Sequence, residues 1–144
     1  GQTSKRDNPP RKIIRIDPVS GSQSVVLEDR LSSPDSQLSY PVGIDVDRRT
    51  GNLFVADAYT RKVVEITPTG ELSVVANDPR FIQPTHLAVD QETGHLYVSD
   101  AISRAGIGQR RVYRIDPNAP PEFNTTIVAL DGFLEEPRGL TIVP

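Results

Sequence analysis

The sequence predicts an all-β protein assembled from repeated four-stranded antiparallel units. Three observations carry that prediction: a long internal repeat, short runs dominated by Val, Ile, Leu, Phe and Tyr, and frequent punctuation by 13 prolines and 10 glycines in 144 residues. Such runs suit half-buried pleated strands, and Gly and Pro mark the turns between them.

The repeat organises the whole chain. PVGIDVDRRTGNLFVADAYTRKVVEITPTGELSVVA, from Pro41, returns as PTHLAVDQETGHLYVSDAISRAGIGQRRVYRIDP from Pro84, continuing to TTIVAL and ending at Leu130. PRGLTIV opens a further copy at Pro137. The steps are 43 and 53 residues. The extra residues fall between Asp100 and Val112 and between Pro117 and Val128, as expected if insertions are confined to loops. Upstream, RKIIRIDP at Arg11 matches RKVVEITP at Arg61 and RRVYRIDP at Arg110, and SVVL at Ser24 matches SVVA at Ser73.

Each whole unit reads as four strands. In the first they are Gly43 to Val46, Leu53 to Ala56, Val63 to Ile66 and Leu72 to Ala76. In the second they are Leu87 to Val89, Leu96 to Ser99, Val112 to Ile115 and Thr126 to Leu130. Gly51 and Gly94 stand where the tight turn after the first strand needs positive φ. The expected organisation is a leader at 1–10, a half unit at 11–28, full units at 41–76 and 84–130, and the first strand of another at 137–144.

Four strands in about 43 residues is the signature of a β-propeller blade. P-x-G-[IL]-x-V-D, T-G-N-L-F-V-A-D and R-K-V also resemble the NHL repeat, across Arg11 to Pro144. The blades are similar to those of strictosidine synthase-like and gluconolactonase-like propellers. The resemblance implies a six-bladed architecture, is specific for fold and says little of activity.

The chain supplies just under three blades, whereas propellers close with four to eight. An open arc exposes flat blade faces and unpaired edges. A homodimer forming a six-bladed ring, a fragment of a longer propeller, completion by another chain, and an arc capped by its own termini all satisfy this constraint. The sequence therefore reads as a partial propeller, half of a six-bladed ring where two copies associate.

Composition narrows the function classes. A hydrophobic fraction of 36% and a charged fraction of 24% are those of a soluble protein, and no apolar run is long enough for a membrane span. A net charge of −3 argues against general nucleic-acid affinity. The absence of cysteine excludes disulfides and thiolate metal sites. There is no methionine, so loss of an initiator residue, signal cleavage and truncation are all open. The resemblance favours a secreted or periplasmic location.

Candidate contact residues come from the loops entering first strands and joining second to third strands, which share one propeller face. They are Tyr59, Arg61, His86 and Arg138, with Thr60, Arg104, Arg110 and the insertion Ala101 to Gln109 nearby. His86 replaces the glycine of the matching positions Gly43 and Gly139. It reads either as a channel-mouth ligand, base or pH-sensitive contact, or as a partly exposed histidine bonded to backbone. His95, in place of Asn52, reads as a turn residue. Asp57 and Asp100 end second strands and are followed by Arg61 and Arg110, a recurring pairing that the resemblance implies ties the loop by a charge-assisted hydrogen bond. The basic pairs at Arg11-Lys12, Arg61-Lys62 and Arg110-Arg111 read as a phosphate-binding stripe or as solvated strand ends. Asn124-Thr125-Thr126 is an Asn-x-Thr acceptor of the kind that arises by chance.

The leading expectation is a non-enzymatic propeller for binding or assembly, recognising a protein or small ligand on its loop face, with no cofactor. The first alternative is a metal-dependent hydrolase or lyase, active only in a completed ring and holding calcium or zinc. Gluconolactonase-like relatives set a metal ligand just before the P-x-G glycine. Here those positions are Val42, Thr85 and Arg138, none a carboxylate or amide, and only His86 is placed for a zinc site. The further alternative is RNA binding, which needs exposed aromatics for base stacking, with Tyr59 the one candidate.

Overall fold

The computed structural model describes residues 9–29, 36–100, 110–130 and 139–143. Ten strands and no helix make up the described residues: β1 (Arg11–Ile16), β2 (Gln23–Asp29), β3 (Pro41–Val46), β4 (Leu53–Asp57), β5 (Lys62–Ile66), β6 (Leu72–Ala76), β7 (Pro84–Val89), β8 (Leu96–Asp100), β9 (Arg111–Ile115) and β10 (Thr125–Leu130). The chain is a partial β-propeller. β1 and β2 form a hairpin, β3-β4-β5-β6 one four-stranded sheet and β7-β8-β9-β10 another. Every pairing is antiparallel.

Local chemistry sets each blade. Gly51 and Gly94 close the β3–β4 and β7–β8 turns at φ of 75° and 77°, a conformation that a Cβ disfavours. Asp47 and Asp90 begin those turns, with their backbone carbonyls accepting the Gly51 and Gly94 amides. The register shifts between Pro41 and Gly43, and at the equivalent Pro84 and His86. Proline thus enters each first strand at its start, where a ladder can lack one N–H.

The three units stack face to face. Ile13 of the hairpin, Leu38, Val55, Val64 and Ile66 form one buried cluster, with Val26 and Leu27 packed against it. The opposite face of the β3–β6 sheet contributes Phe54, Ala56, Val63 and Val75 to a second cluster. Leu87, Val89, Leu96, Val98, Tyr113 and Ile115 meet them from the next blade. The middle sheet is therefore covered on both faces, each buried Val or Ile being worth about 1.5–3 kcal/mol. Phe81, in the linker between blades, meets Tyr113 edge to face at 4.9 Å.

The first strands of successive blades lie side by side. A Cβ on Gly43 would stand 2.5 Å from the Thr85 carbonyl oxygen and 2.8 Å from the His86 Cα, so only glycine fits. Asp45 Oδ2 accepts from the Val89 amide at 2.9 Å, and Gln91 Nε2 donates to the Val46 carbonyl at 2.8 Å. At the outer rim, Asn124 Nδ2 donates to the Val75 carbonyl at 2.8 Å. Of the segment 137–144, residues 139–143 are described and carry no strand pairing, and 137, 138 and 144 lie outside the described residues. Leu140 to Val143 border a cavity of about 570 Å³ with Asp45, Arg48 and Val89 to Glu92. Among the described residues no helix is long and apolar enough to cross a membrane.

Candidate loop-face site

The loop face is built around buried carboxylates that end second strands. Asp57, fully buried, closes β4 and accepts four backbone N–H groups. Oδ2 takes Ser39 at 2.7 Å and Tyr40 at 2.9 Å, from the segment entering the blade. Oδ1 takes Tyr59 at 3.1 Å and Thr60 at 2.9 Å, from the loop leaving β4. One ion thus fixes two loops against each other. The Ala58 amide adds a bond to the Tyr40 carbonyl at 3.0 Å. Asp100 repeats the device with the amides of Ile82 and Gln83 at 2.9 and 2.6 Å. The half-buried Asp29, at the end of a fourth strand, accepts the amides of Gln37 and Leu38 at 2.9 and 2.7 Å.

The loops are tied by a carboxylate, but the hydrogen-bond donors are main-chain amides rather than the arginine that the Asp…Arg spacing suggests. Burial raises the Asp100 carboxyl above its ordinary pKa, opposed by the two amides and by the positive charges of Arg111 and Arg61. Arg61, in the loop of one blade, therefore acts electrostatically on the anchoring carboxylate of the next. It holds φ of +58°, a left-handed conformation that costs a side-chain-bearing residue about 1–2 kcal/mol. Strain of this kind collects at functional positions.

Tyr59 and Arg61 share this face, and both are exposed. Tyr59 is 78% exposed although its amide is fixed. Anchored to the same carboxylate is a residue that sequence reasoning passed over: Tyr40, 59% exposed, whose amide also bonds Asp57. Its signal was present, since it immediately precedes Pro41 and so occupies the loop entering a first strand.

His86 lies on β7 opposite Ser99, partly exposed, with its buried Nδ1 unpartnered. Thr60 Oγ1 and Arg111 Nε are likewise buried without a partner. Arg138, Arg104 and the insertion 101–109 lie outside the described residues.

The remaining motifs have structural roles. Arg11 Nε donates to the Ser39 carbonyl at 2.7 Å and Lys62 Nζ to Gln37 Oε1 at 3.1 Å, so these members of the basic pairs brace loops. His95 stands in its turn with Nε2 3.8 Å from Asp116. Asn124 of the Asn-x-Thr triplet is buried, its amide engaged between blades. Among the described residues no group of three or more His, Asp or Glu side chains is placed to hold a metal ion.

No protein-family model and no curated protein matches the chain. Solved structures do: 88 chains match in three dimensions. One is a chain in the crystal structure of a nidogen/laminin complex, similar with a TM-score of 0.65 and 20% sequence identity. The match covers 83% of this chain and 40% of that one, so this chain spans well under half the length of its structural neighbour. The likeness is one of fold.

Proposed function

We propose that the protein is a non-enzymatic β-propeller binding module that presents its loop face to a protein partner and works within a completed ring of blades, formed by self-association or by a second chain. The observation that carries this reading is the Asp57 anchor. It ties the backbone of Tyr40 and of Tyr59, both exposed, to one carboxylate, Tyr59 standing two residues before Arg61. Tyrosine and arginine dominate binding energy at protein interfaces, and loops ordered in advance lose little entropy on binding. His86 and Arg138 complete the proposed contact set. The nidogen/laminin structure, a complex of proteins, supports protein recognition as a use to which such a fold is put.

The test compares the wild-type protein with a Tyr40→Ser/Tyr59→Ser variant and an Arg61→Gly variant as affinity baits in extracts of source cells. Arg61→Gly relieves the left-handed strain, so it removes the charge without loosening the turn. A discrete protein captured by the wild type and lost at least about tenfold by both variants is the expected result. Capture unchanged by either variant would overturn the reading. So would calcium or zinc retained stoichiometrically through purification, which favours the hydrolase or lyase alternative, or salt-sensitive oligonucleotide affinity, which favours RNA.

A further inference from the structure

The strands of each blade run between two ends. The loops anchored by Asp57 lie at one. The connections 17–22, 47–52, 67–71, 90–95 and 116–124 lie at the other, and all five are described. The last, between β9 and β10, has nine residues where its counterpart between β5 and β6 has five. It ends in Pro120-Pro121-Glu122-Phe123-Asn124. Phe123 is 83% exposed, more than any other aromatic side chain among the described residues. Unlike tyrosine, it has no hydroxyl to share with water.

The ring stands on fixed backbone. The Phe123 amide donates to the Pro120 carbonyl at 2.9 Å, the Asp116 amide to the Asn124 carbonyl at 2.9 Å, and the Ala119 amide to the Asp116 carbonyl at 3.1 Å. The next residue, Asn124, is buried with Nδ2 on the Val75 carbonyl, and Arg80 Nη2 donates to the Thr125 carbonyl at 3.0 Å. These bonds show that the connection leans on the preceding blade and its linker. Gly70 likewise stands against the Val26 carbonyl of the hairpin. The place on β10 that matches Val26 and Val75 is Val128, between the residues paired with Tyr113 and Val112. It lies five residues from Phe123, about 16 Å along an extended chain. The exposure of Phe123 is therefore independent of whatever stacks beyond β10.

The charge around the ring defines what fits it. The five connections hold seven carboxylates against Arg48 and Arg49, and Glu122 adjoins Phe123 directly. A cavity of about 140 Å³ is lined by Pro117 and Asn118 of this connection and by Phe54 and Glu65 of the preceding blade. Arg49 also borders it but is paired with Asp47 at 3.2 Å. The half-buried Glu65 accepts from Asn52 Nδ2 at 2.6 Å and makes no ion pair among the described residues.

We infer that this connection is a docking surface for a basic, arginine-containing segment of a protein partner. One guanidinium lies flat on the Phe123 ring beside the Glu122 carboxylate. A second cationic side chain enters the cavity, its aliphatic stem on Phe54 and its charge at Glu65. Arginine suits the first place because its planar group stacks on a ring while its edge still donates to a carboxylate. The acidic surroundings steer a basic segment inward and repel nucleic acid and anionic headgroups. The surface lies at the opposite end from Tyr40, Tyr59 and Arg61, so it needs nothing from the loop-face reading.

Fluorescence anisotropy on the full chain tests this with a labelled eight-residue peptide alternating arginine and glycine, and with its lysine counterpart. The arginine peptide is expected to bind, and Phe123→Ser to weaken it about three- to tenfold. The side chain is exposed, so this variant should keep the wild-type circular dichroism. The lysine peptide should bind at least about twofold more weakly than the arginine one. Phe123→Ser removes no charge. Affinity that it leaves unchanged would therefore mean a general attraction to the acidic end and would overturn the proposal, as would equal affinity for the two peptides or no binding at low salt. Amide shifts in the wild type give an answer without any variant: changes gathered at 116–124 support docking there, and changes at Tyr59 to Arg61 instead overturn it. Retention on neutral phosphatidylcholine vesicles that Phe123→Ser abolishes would make the ring a lipid anchor and overturn it too. Arg61→Gly should leave peptide affinity unchanged, whichever way the loop-face test falls.

Discussion

Asp57 shows how much one side chain can organise. Its four N–H partners come from two loops that the sequence separates by about twenty residues. Without it, those amides lose their acceptor in a place where water has poor access, at a cost of about 1–3 kcal/mol for each group left unsatisfied. We expect Asp57→Ala to lower unfolding free energy by at least about 3 kcal/mol in urea titrations. Amide exchange at Tyr40 and Thr60 should accelerate well beyond the change at the β4 centre. A loss below 1 kcal/mol would mean that the loops hold themselves. The carboxylate was legible in the repeat, since Asp57 and Asp100 fall at the same place. Its partners were not, because backbone amides have no letter in a sequence and the nearby Arg61 looked the obvious donor. Tyr40 was missed for a related reason: it sits just outside the repeated motif, and what links it to Tyr59 is the backbone bond each makes to Asp57.

Between elements, the junction of β3 and β7 is set by Gly43. A methyl group there meets backbone atoms, which cannot rotate away, so the blades must separate. Gly43→Ala is expected to cost about 1–3 kcal/mol. Gly139→Ala, at the matching position but with nothing within 4 Å of its Cβ, should stay within about 0.5 kcal/mol of wild type. Equal effects in thermal melts would refute this account of the junction. The linker between β6 and β7 offers a pH-dependent case. Arg80 donates to Asp78 through Nε at 2.9 Å and Nη2 at 2.8 Å, and holds the carboxyl below its ordinary 3.8. A depressed folded pKa gives stability that is present above the unfolded value and disappears as pH falls through the folded one. With solvent screening discounted, Asp78→Asn should cost about 0.5–1 kcal/mol at neutral pH. That difference should close as pH drops below 3.8, and a gap that widened in acid would be the wrong sign. Strands and turns were readable because alternation and Gly-x-Leu turns repeat in register. The junctions were not, since Asp45 and Gln91 bridge blades across 44 and 45 residues, and Ala88 stands where the next copy would need the Asp45 carboxylate.

At the scale of the whole molecule, each unit draws stability from the neighbours that flank it, as in other stacked repeats. Among the described residues the β3–β6 sheet has two such neighbours and the hairpin has one, and an isolated hairpin is marginal in water. Local stability should therefore fall away from the middle sheet. Native-state hydrogen exchange gives the test, because opening free energies range from near zero for weakly held parts up to the global value for the core. Amides of β4 and β5, whose side chains are buried on alternate faces by different neighbours, should exchange only by global unfolding. Those of β8 and β9, backed by one sheet, should come next. Those of β1 and β2 should open at least about 2 kcal/mol more readily. Uniform protection across all ten strands would mean that the arc unfolds as one cooperative body. Protection of β1 and β2 that rose with protein concentration would show the exposed Ile14 and Ile16 side chains being covered from outside.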